Sequence, residues 1–536
     1  MQTLTRHFNH AAFGLSGCAV GAAACAVAAH LTLGAVAASA QSDNEKTLTA
    51  PRTAAEWVIQ SPPNTARPPY AFAAEDERLL DEVQRASFWY LWRCADPKTG
   101  MTYDRTSVKF ASVAGVGFQL AAIPIAVERE WITREEGRER AERILKALES
   151  NPSNRKAGLF FHFLDGETAG PVDNDVVSTI DSALLFSGML TASAYFGGKV
   201  REIGDRLVAE ADWTFFVLNE PRADEPELKG YISLGWKPTS FKDPTGKGSL
   251  LPYVWADAAD EQRLVAFLAA AAPKPEHRVD TVHYYRLRRP LGSYKDSGEF
   301  VYLPWSGALF TNFFAHCFID YRSMGPDDPA KHGVERRPRV DWWENSRRAV
   351  AMHRTKVIEN PKGFATFGPN AWGLTACDAD GRYLVPGVYP TPVAVADAKP
   401  KIDVSPFVPK DDYGDGTIAP YGAGCAVMFE PKLALDALRH YRSLENEKGE
   451  PLLWRDPGKD GTNGGYGFKD SYNLDTGWIA PDNVAIDQGP LVLAIENART
   501  ARVWTWFHAH PLVAQACDRL GLAPSMNRLD QVPSPK

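Results

Sequence analysis

The chain has 536 residues, of which 11% are aromatic and 23% are charged, and its formal net charge is −7 at pH 7. This length and composition are typical of a globular protein with a large core. The acidic balance and the lack of a Lys/Arg-rich run argue against nucleic acid as a partner.

The N-terminus has the pattern of a secretory signal peptide. Arg6 and His7 precede an apolar run over about 11–37, and Ala38-Ser39-Ala40 predicts cleavage after Ala40. We therefore predict a signal peptide over residues 1–40 and a periplasmic or secreted mature protein. A lipoprotein signal ending at Cys18 is disfavoured, because too little apolar sequence precedes it. No later run reaches the roughly 20 apolar residues that a membrane span needs.

Residues 41–74 are rich in Pro, Thr, Ser and Asn without hydrophobic periodicity, which predicts a flexible linker. We expect one domain over residues 75–525 and a C-terminal tail over 526–536. The cysteines after the signal peptide number five and are widely spaced, which argues against a disulfide framework or a zinc site. We expect them to be small buried residues.

Helical periodicity recurs along the whole domain with short breaks. The predicted helices are Asp76–Trp92, Ala111–Glu130, Arg134–Ser150, Ser178–Phe196, Lys199–Leu218, Asp260–Ala272, Gly307–Tyr321, Trp342–Val357, Ala423–Phe429, Pro431–Tyr441, Pro490–Phe507 and Pro511–Leu520. Four long loops rich in aromatic and acidic residues interrupt them, at 230–255, 367–383, 411–424 and 452–481. Loops of this size in a compact domain are usually functional. A dozen helices joined by alternating tight turns and long loops predict an all-α fold, an (α/α)6 barrel with its long loops at one mouth.

Five acidic residues lie where the local sequence does not call for a solvated charge: Asp181, Glu261, Asp415, Asp487 and Glu496. Asp181 and Glu261 each begin an apolar helix, where the helix dipole alone could account for a carboxylate. Glu496 and Arg499 fall inside a helix, and we expect them to form a pair that braces the barrel wall. Together, acids at helix starts around one mouth could supply the proton donor and the second carboxylate of glycoside hydrolysis.

The histidines favour neither a metal site nor a cofactor. His162 and His316 lie among aromatic residues without the spacing of metal ligands, which indicates polar residues of the barrel wall. No GxSxG, Walker A or GxGxxG motif is present, so serine-nucleophile chemistry, nucleotide binding and hydride transfer lack their usual motifs. We expect no metal and no cofactor.

The order of these motifs resembles the glycoamylase-like domain family from about residue 76 to 507. The motifs that carry the resemblance are Ala114-Gly115-Val116-Gly117-Phe118, Glu128–Glu136, Phe161-His162-Phe163-Leu164-Asp165, Ser178-Thr179-Ile180-Asp181, Gly235-Trp236-Lys237-Pro238, Glu344-Asn345-Ser346-Arg347, Trp372-Gly373-Leu374-Thr375-Ala376, Asp415–Pro420 and Ile486-Asp487-Gln488-Gly489-Pro490. The family includes bacterial endo-β-1,2-glucanases of glycoside hydrolase family 144 and the transglycosylating domain of cyclic β-1,2-glucan synthases.

The resemblance implies an (α/α)6 barrel that cleaves or rearranges β-1,2-linked glucans without a metal. The family's essential Glu, at the start of the helix after the Gly-Trp-Lys-Pro loop, corresponds to Glu261, and the carboxylate of Ser-Thr-Ile-Asp corresponds to Asp181. We predict Glu261 as general acid and Asp181 or Asp487 as base. The predicted substrate-binding residues are Asp104, Arg105, His162, Trp236, Trp372, Asp415 and Tyr466.

Three other functions fit the same barrel at this point. A polysaccharide lyase would place basic residues around one subsite, a transglycosylase would make products larger than its substrate, and a periplasmic glycan-binding protein would bind without cleavage.

Overall fold

The computed structural model describes residues 58–293, 300–304, 307–388, 391–392, 405–406 and 414–522. The predicted signal peptide, residues 41–57 of the predicted linker and the predicted tail lie outside these residues, and the domain boundaries stay predictions. The described residues contain thirteen α-helices: α1 Ala74–Arg93, α2 Val113–Glu128, α3 Arg134–Ser150, α4 Thr179–Phe196, α5 Gly198–Glu210, α6 Asp260–Ala271, α7 Val282–Tyr285, α8 Trp342–Glu359, α9 Pro420–Cys425, α10 Pro431–Ser443, α11 Ala485–Thr500, α12 Arg502–His508 and α13 Pro511–Leu520.

The helices form two concentric rings. The inner ring consists of α2, α4, α6, the segment Leu309–Cys317, α9 and α11, and most residues of these elements are buried. Each inner element packs against one outer helix: α2 against α3, α4 against α5, α6 against α13, Leu309–Cys317 against α8, α9 against α10, and α11 against α1. This is the predicted (α/α)6 barrel. None of the helices described is long and apolar enough to cross a membrane.

The strands are short and lie in the loops rather than in a central sheet. They are β1 Phe110–Ser112, β2 Arg155–Lys156, β3 Leu159–Phe160, β4 Phe163–Asp165, β5 Val177–Ser178, β6 Gly235–Pro238, β7 Gly248–Leu250, β8 Pro290–Ser293, β9 Phe300–Tyr302, β10 Cys377–Ala379, β11 Arg382–Leu384, β12 Thr391–Pro392, β13 Ser405–Pro406, β14 Trp454–Arg455, β15 Gly467–Phe468, β16 Tyr472–Asn473 and β17 Trp478–Ile479. Two of the paired strands directly precede inner helices. Strand β1 pairs with β4 and is followed by α2, and β5 pairs with β6 and is followed by α4.

The backbones of α2 and α4 approach each other so closely that glycine is required on both helices. A Cβ on Gly188 would lie 1.9 Å from the carbonyl oxygen of Gly117, and a Cβ on Gly117 would lie 2.3 Å from the carbonyl oxygen of Leu184. The two backbones therefore touch without intervening side chains.

Capping residues explain where several helices begin. Thr133 accepts a hydrogen bond from the backbone N–H of Glu136, and the Glu136 carboxylate accepts one from the N–H of Thr133, so α3 begins with a capping box. Its bounds agree with the prediction. The Ser178 hydroxyl caps α4 by accepting a hydrogen bond from the N–H of Asp181.

The predicted helix over 307–321 is wrong. The chain instead forms 3-10 turns at Leu309–Asn312 and Ala315–Cys317, and Phe313, between them, has a φ of −140°. Four phenylalanines fall between residues 310 and 318, and aromatic side chains lose rotamer freedom in an α-helix. The predicted helices over 199–218 and 423–429 also end earlier, each followed by a 3-10 turn, at Trp213–Phe216 and Ala426–Met428.

The predicted helix over 490–507 is two helices with different bounds. The first, α11, begins at Ala485 and includes Pro490, and Ala501, with a φ of 60°, separates it from α12. Pro490 is the sixth residue of α11 and has no N–H to donate to the Ile486 carbonyl, so the helix lacks one backbone hydrogen bond there. Asp487 therefore lies in the first turn of α11 and not in a turn before it.

Glu496 and Arg499 do not pair with each other, which corrects the sequence prediction. Glu496 accepts hydrogen bonds from Arg129 and Gln84, at 2.9 and 3.0 Å, whereas Arg499 binds Glu77 at 2.7 Å. Both residues still link α11 to its neighbours, because Gln84 and Glu77 belong to α1 and Arg129 directly follows α2.

Candidate active site

The acidic residues predicted to be catalytic all lie in the first turns of inner helices. Asp181 is the third residue of α4, Glu261 the second residue of α6 and Asp487 the third residue of α11. Inner helices of such a barrel run in the same direction, so these first turns meet at one mouth. The unpaired N–H groups there favour negative charge. In the inner ring, α4 lies between α2 and α6, and α11 lies on the other side of α2.

Glu261 has the properties of a proton donor. Its side chain is half-buried, and no protein group within the described residues forms a hydrogen bond with its carboxyl. Burial, followed by the negative charges of Asp181 and Asp260, raises the pKa of Glu261 to about 8. Glu261 therefore carries a proton at neutral pH and keeps both oxygens free for a substrate.

Asp181 is held at its position by two neighbours. The Ser178 hydroxyl donates a short hydrogen bond to the Asp181 carboxylate, and His162 Nε2 lies 3.7 Å from Asp181 Oδ1. The Asp181 side chain remains 14% exposed. A carboxylate in a helix first turn, beside a hydroxyl and an imidazole, suits an ionised group that accepts a proton from water.

His162 lies between two carboxylates at the start of α2. Its Nδ1 lies 3.7 Å from Asp175 Oδ1, and its carbonyl oxygen accepts a hydrogen bond from Val113 N, the first residue of α2. Burial lowers the pKa of His162, but the charges of Asp181, Asp175 and Asp104 outweigh it and the net shift is upward. Burial raises the pKa of Asp175 to about 6. We call Glu261, Asp181, His162 and Asp175 the Glu261 side.

Asp487 lies in a second acidic group. It is 1% exposed, and burial followed by the neighbouring Asp470 raises its pKa well above the usual range. The Asp470 carboxylate accepts a hydrogen bond from Asp378 N at 2.8 Å, and burial raises the pKa of Asp470 as well. Two like charges close together in a buried site cannot both be ionised at little cost, so each carboxylate favours the protonated form of the other.

Arg105 supplies the positive charge of this second group. Its guanidinium donates to both carboxylate oxygens of Asp378, at 2.8 and 2.9 Å, and to Asp104 at 3.1 Å. These two carboxylates raise the pKa of Arg105 against the effect of its burial. Burial and Asp470 raise the pKa of Asp378 to about 6, although Arg105 opposes them. We call Asp487, Asp470, Asp378 and Arg105 the Asp487 side.

The other predicted binding residues are spread over the loops and the core. Asp415 is half-buried and accepts hydrogen bonds from Arg382 and Thr417, which outweigh its burial and lower its pKa. Tyr466 packs edge-on against Tyr90 with ring centroids 5.5 Å apart. Trp236 and Trp372 are 2% and 0% exposed, so neither ring has a free face for a sugar in this conformation. Substrate binding by these residues stays a prediction.

Sequence reasoning missed three acids that the fold places in these groups, Asp175, Asp378 and Asp470. Asp378 lies in β10, and Asp470 lies between β15 and β16. Neither is at a helix start, which was the pattern that indicated Asp181 and Glu261. Both fall in the long acid-rich loops at 367–383 and 452–481, and that was the available signal.

Residues 252–511 match the family model named Glycoamylase and described as "Putative glucoamylase". This segment is similar to the glycoamylase-like domain family. The match confirms the family resemblance found in the sequence motifs, and it includes Glu261, Asp470 and Asp487 but not Asp181 or His162.

Comparison with individual proteins extends the similarity towards the N-terminus. The chain is 28% identical over 474 residues to an exo β-1,2-glucooligosaccharide sophorohydrolase (non-reducing end) of Parabacteroides distasonis, which covers 83% of this chain and 58% of that protein. The chain thus matches less than two thirds of the length of that relative.

Solved structures share the fold. A β-1,2-glucanase from Parabacteroides distasonis has a TM-score of 0.65 and 24% identity, covering 84% of this chain and 60% of that one. An endo-β-1,2-glucanase from Chitinophaga pinensis, solved with sophorotriose and glucose, has a TM-score of 0.64 and 22% identity, covering 84% of this chain and 98% of that one. At these identities the comparison shows the barrel architecture alone.

Proposed function

We propose that this protein is a glycoside hydrolase that cleaves β-1,2-glucan or its oligosaccharides by acid and base catalysis. The observation that carries the proposal is Glu261, whose carboxyl has a pKa of about 8 and accepts no hydrogen bond from the described residues, as suits a general acid. The sophorohydrolase relative supports the choice of linkage, because the similarity spans 83% of this chain.

In the proposed reaction, Glu261 donates its proton to the glycosidic oxygen as the bond to the anomeric carbon breaks. Asp181, on the neighbouring inner helix, is the favoured partner carboxylate, because it lies in a helix first turn, which favours negative charge, and is partly open to solvent. It would accept a proton from the water that attacks the anomeric carbon. Its negative charge also keeps the proton on Glu261 before the reaction.

Asp487 remains the second candidate for the base. It is less suited, because burial and the neighbouring Asp470 disfavour the ionised form that a base needs in order to accept a proton.

Incubation with glucans of defined linkage, followed by NMR, tests the proposal. We expect cleavage of β-1,2-linked substrates and not of β-1,3- or β-1,4-linked ones, and the anomer of the first product distinguishes inversion from retention. No cleavage of any β-1,2-linked substrate would refute the proposal. An unsaturated product that absorbs in the ultraviolet would instead establish a lyase, and products longer than the substrate would establish transglycosylation.

We also propose that the protein acts in the periplasm or outside the cell. The apolar run before Ala40 and the small residues at 38–40 support this location. N-terminal sequencing of the mature protein from each cell fraction tests it, with Gln41 expected as the first residue. An intact N-terminus in the cytoplasmic fraction alone would contradict the proposal.

A further inference from the structure

Asp260 directly precedes Glu261 and differs from it in every contact. Asp260 is the first residue of α6 and is fully buried, whereas Glu261 is half-buried. A buried carboxylate is costly unless it is paired and hydrogen-bonded. The contacts of Asp260 therefore show how the fold stabilises a buried charge beside the proposed general acid.

Three donors from two elements satisfy the Asp260 carboxylate. One oxygen accepts hydrogen bonds from the backbone N–H of His316 at 3.1 Å and from its Nδ1 at 2.7 Å, and the other accepts a short hydrogen bond from Arg263. Arg263 is itself held by stacking on Trp342, with its guanidinium carbon 3.7 Å from the ring centroid. Burial works against ionisation of Asp260, but His316 and Arg263 outweigh it and its pKa lies below the usual range.

These contacts join α6 to the irregular inner segment Leu309–Cys317. That segment lacks a continuous α-helix, so backbone hydrogen bonds alone hold it less firmly than the other inner elements. The indole of Trp504 donates to the His316 carbonyl at 2.6 Å and fixes the same residue from α12. The start of α6 is therefore tied to a buried network that spans three parts of the barrel.

We propose that Asp260 is a positioning residue for Glu261: its carboxylate, held by His316 and Arg263, fixes the first turn of α6 and places a permanent negative charge beside the Glu261 carboxyl. The inference rests on the proposed function for the reaction that Glu261 serves. The negative charge itself is independent of the substrate.

The charge acts together with the other groups that face the start of α6. Asp181 of α4 and Asp260 both favour the protonated form of Glu261, and burial acts in the same sense. The remaining titratable groups that face Asp260 or Arg263 are His316, Cys317, Tyr284 and Tyr321. Arg519 of α13 binds the carbonyl oxygen of Ala270 at the far end of α6 and therefore does not oppose this effect.

Two substitutions separate the charge from the position. Asp260→Asn removes the charge at nearly constant shape, and we expect the basic limb of the kcat/KM profile to fall by about one pH unit. Asp260→Glu keeps the charge but lengthens the side chain, so we expect the limb to stay in place while kcat falls at least about tenfold. An unmoved limb in the Asn variant, or an unchanged kcat in the Glu variant, would overturn the proposal. If the Asn variant does not fold, the Glu variant decides the positioning role.

Asp341→Asn is the matched control. Asp341 is also fully buried, caps the start of a helix, α8, and accepts hydrogen bonds from Ser61 and Arg67. It begins an outer helix, so its loss should lower stability and leave the pH profile unchanged. A shift in this control equal to that of Asp260→Asn would show a general effect of destabilisation and would also overturn the proposal.

A measurement without substrate separates this inference from the proposed function. The infrared carbonyl band of protonated Glu261, assigned by its loss in Glu261→Gln, can be titrated in the intact protein. We expect its midpoint to fall in Asp260→Asn by the same amount as the kinetic limb. If no glucan is cleaved, the proposed function fails while this titration still decides the role of the Asp260 charge. An unchanged midpoint would refute that role.

Discussion

The two acidic groups at the barrel mouth are built from similar residues but differ in how their charges are compensated. On the Glu261 side the proposed acid has no hydrogen-bond partner in the described part of the chain, and its neighbour Asp181 is held by Ser178 and His162. On the Asp487 side, a guanidinium binds both oxygens of Asp378, while burial and the charge of Asp470 raise the pKa of Asp487. The difference indicates that burial alone does not assign a role. The carboxyl of Glu261 can donate a proton to a ligand, whereas a proton on the Asp487 side stays inside the protein.

The largest expected effect is that of Glu261→Gln. The amide keeps the shape but has no acidic proton to donate, so kcat should fall about 10³-fold on a substrate with a poor leaving group. Steady-state rates on a β-1,2-linked oligosaccharide measure it. Glu135→Gln, in the first turn of the outer helix α3, is the control and should leave the rate unchanged. Near-normal turnover of Glu261→Gln would exclude the acid role.

Asp181→Asn should lower kcat about 10²-fold and also change the pH dependence. Because the Asp181 charge raises the pKa of Glu261, its removal should move the basic limb of kcat/KM from near pH 8 to lower pH. The kcat/KM profile from pH 5 to 9 measures both effects. A lower rate with an unmoved limb would mean that Asp181 does not interact electrostatically with Glu261.

Glu261→Gln should also stabilise the protein in alkaline solution. Glu261 binds its proton more tightly when folded, because its pKa is about 8 in the folded protein against an ordinary value of 4.5. Stability therefore falls as pH rises between these values, and the glutamine variant avoids this loss. At pH 8 we expect a gain of about 2–4 kcal/mol, and at pH 4 none. Urea unfolding at the two pH values tests this, and an equal gain at both would contradict it.

The smallest expected effect on rate is that of Asp487→Asn. Because burial and Asp470 favour the protonated form of Asp487, a neutral amide of the same shape is a close substitute for it. We expect kcat to fall less than about tenfold, against about 10³-fold for Glu261→Gln. Side-by-side assays at pH 7 compare the two sides directly. An equal loss for both variants would break the comparison and assign the base to the Asp487 side.

Hydrophobic periodicity predicted helix positions correctly where the capping residues and the apolar face of the helix agreed with its packing in the barrel. The helix α3 has a capping box at its start and an amphipathic pattern throughout, and its predicted bounds match. The helix predicted over 307–321 was wrong. Its many phenylalanines recur at a spacing that resembles one face of a helix, but they pack in several directions. The break at Ala501 could not be foreseen, because an alanine with positive φ has no sequence signature.

The Glu261 side could be predicted better than the Asp487 side for a physical reason. Asp181 and Glu261 lie at the starts of apolar helices, and that position is visible in a single stretch of sequence. Arg105 and Asp378, which form the ion pair of the Asp487 side, are 273 residues apart in the chain. Only the closure of the barrel brings them together, so their pairing left no local pattern.

The backbone contact of Gly117 with Gly188 has a consequence for how this barrel can change its substrate. Two main chains already in contact cannot move closer, and any side chain at either position would push α2 and α4 apart. Asp181 is part of α4, so a change in that spacing would also displace a proposed catalytic group. Adaptation to longer or shorter glycans therefore has to come from the loops that surround the mouth, while the helical frame stays constant.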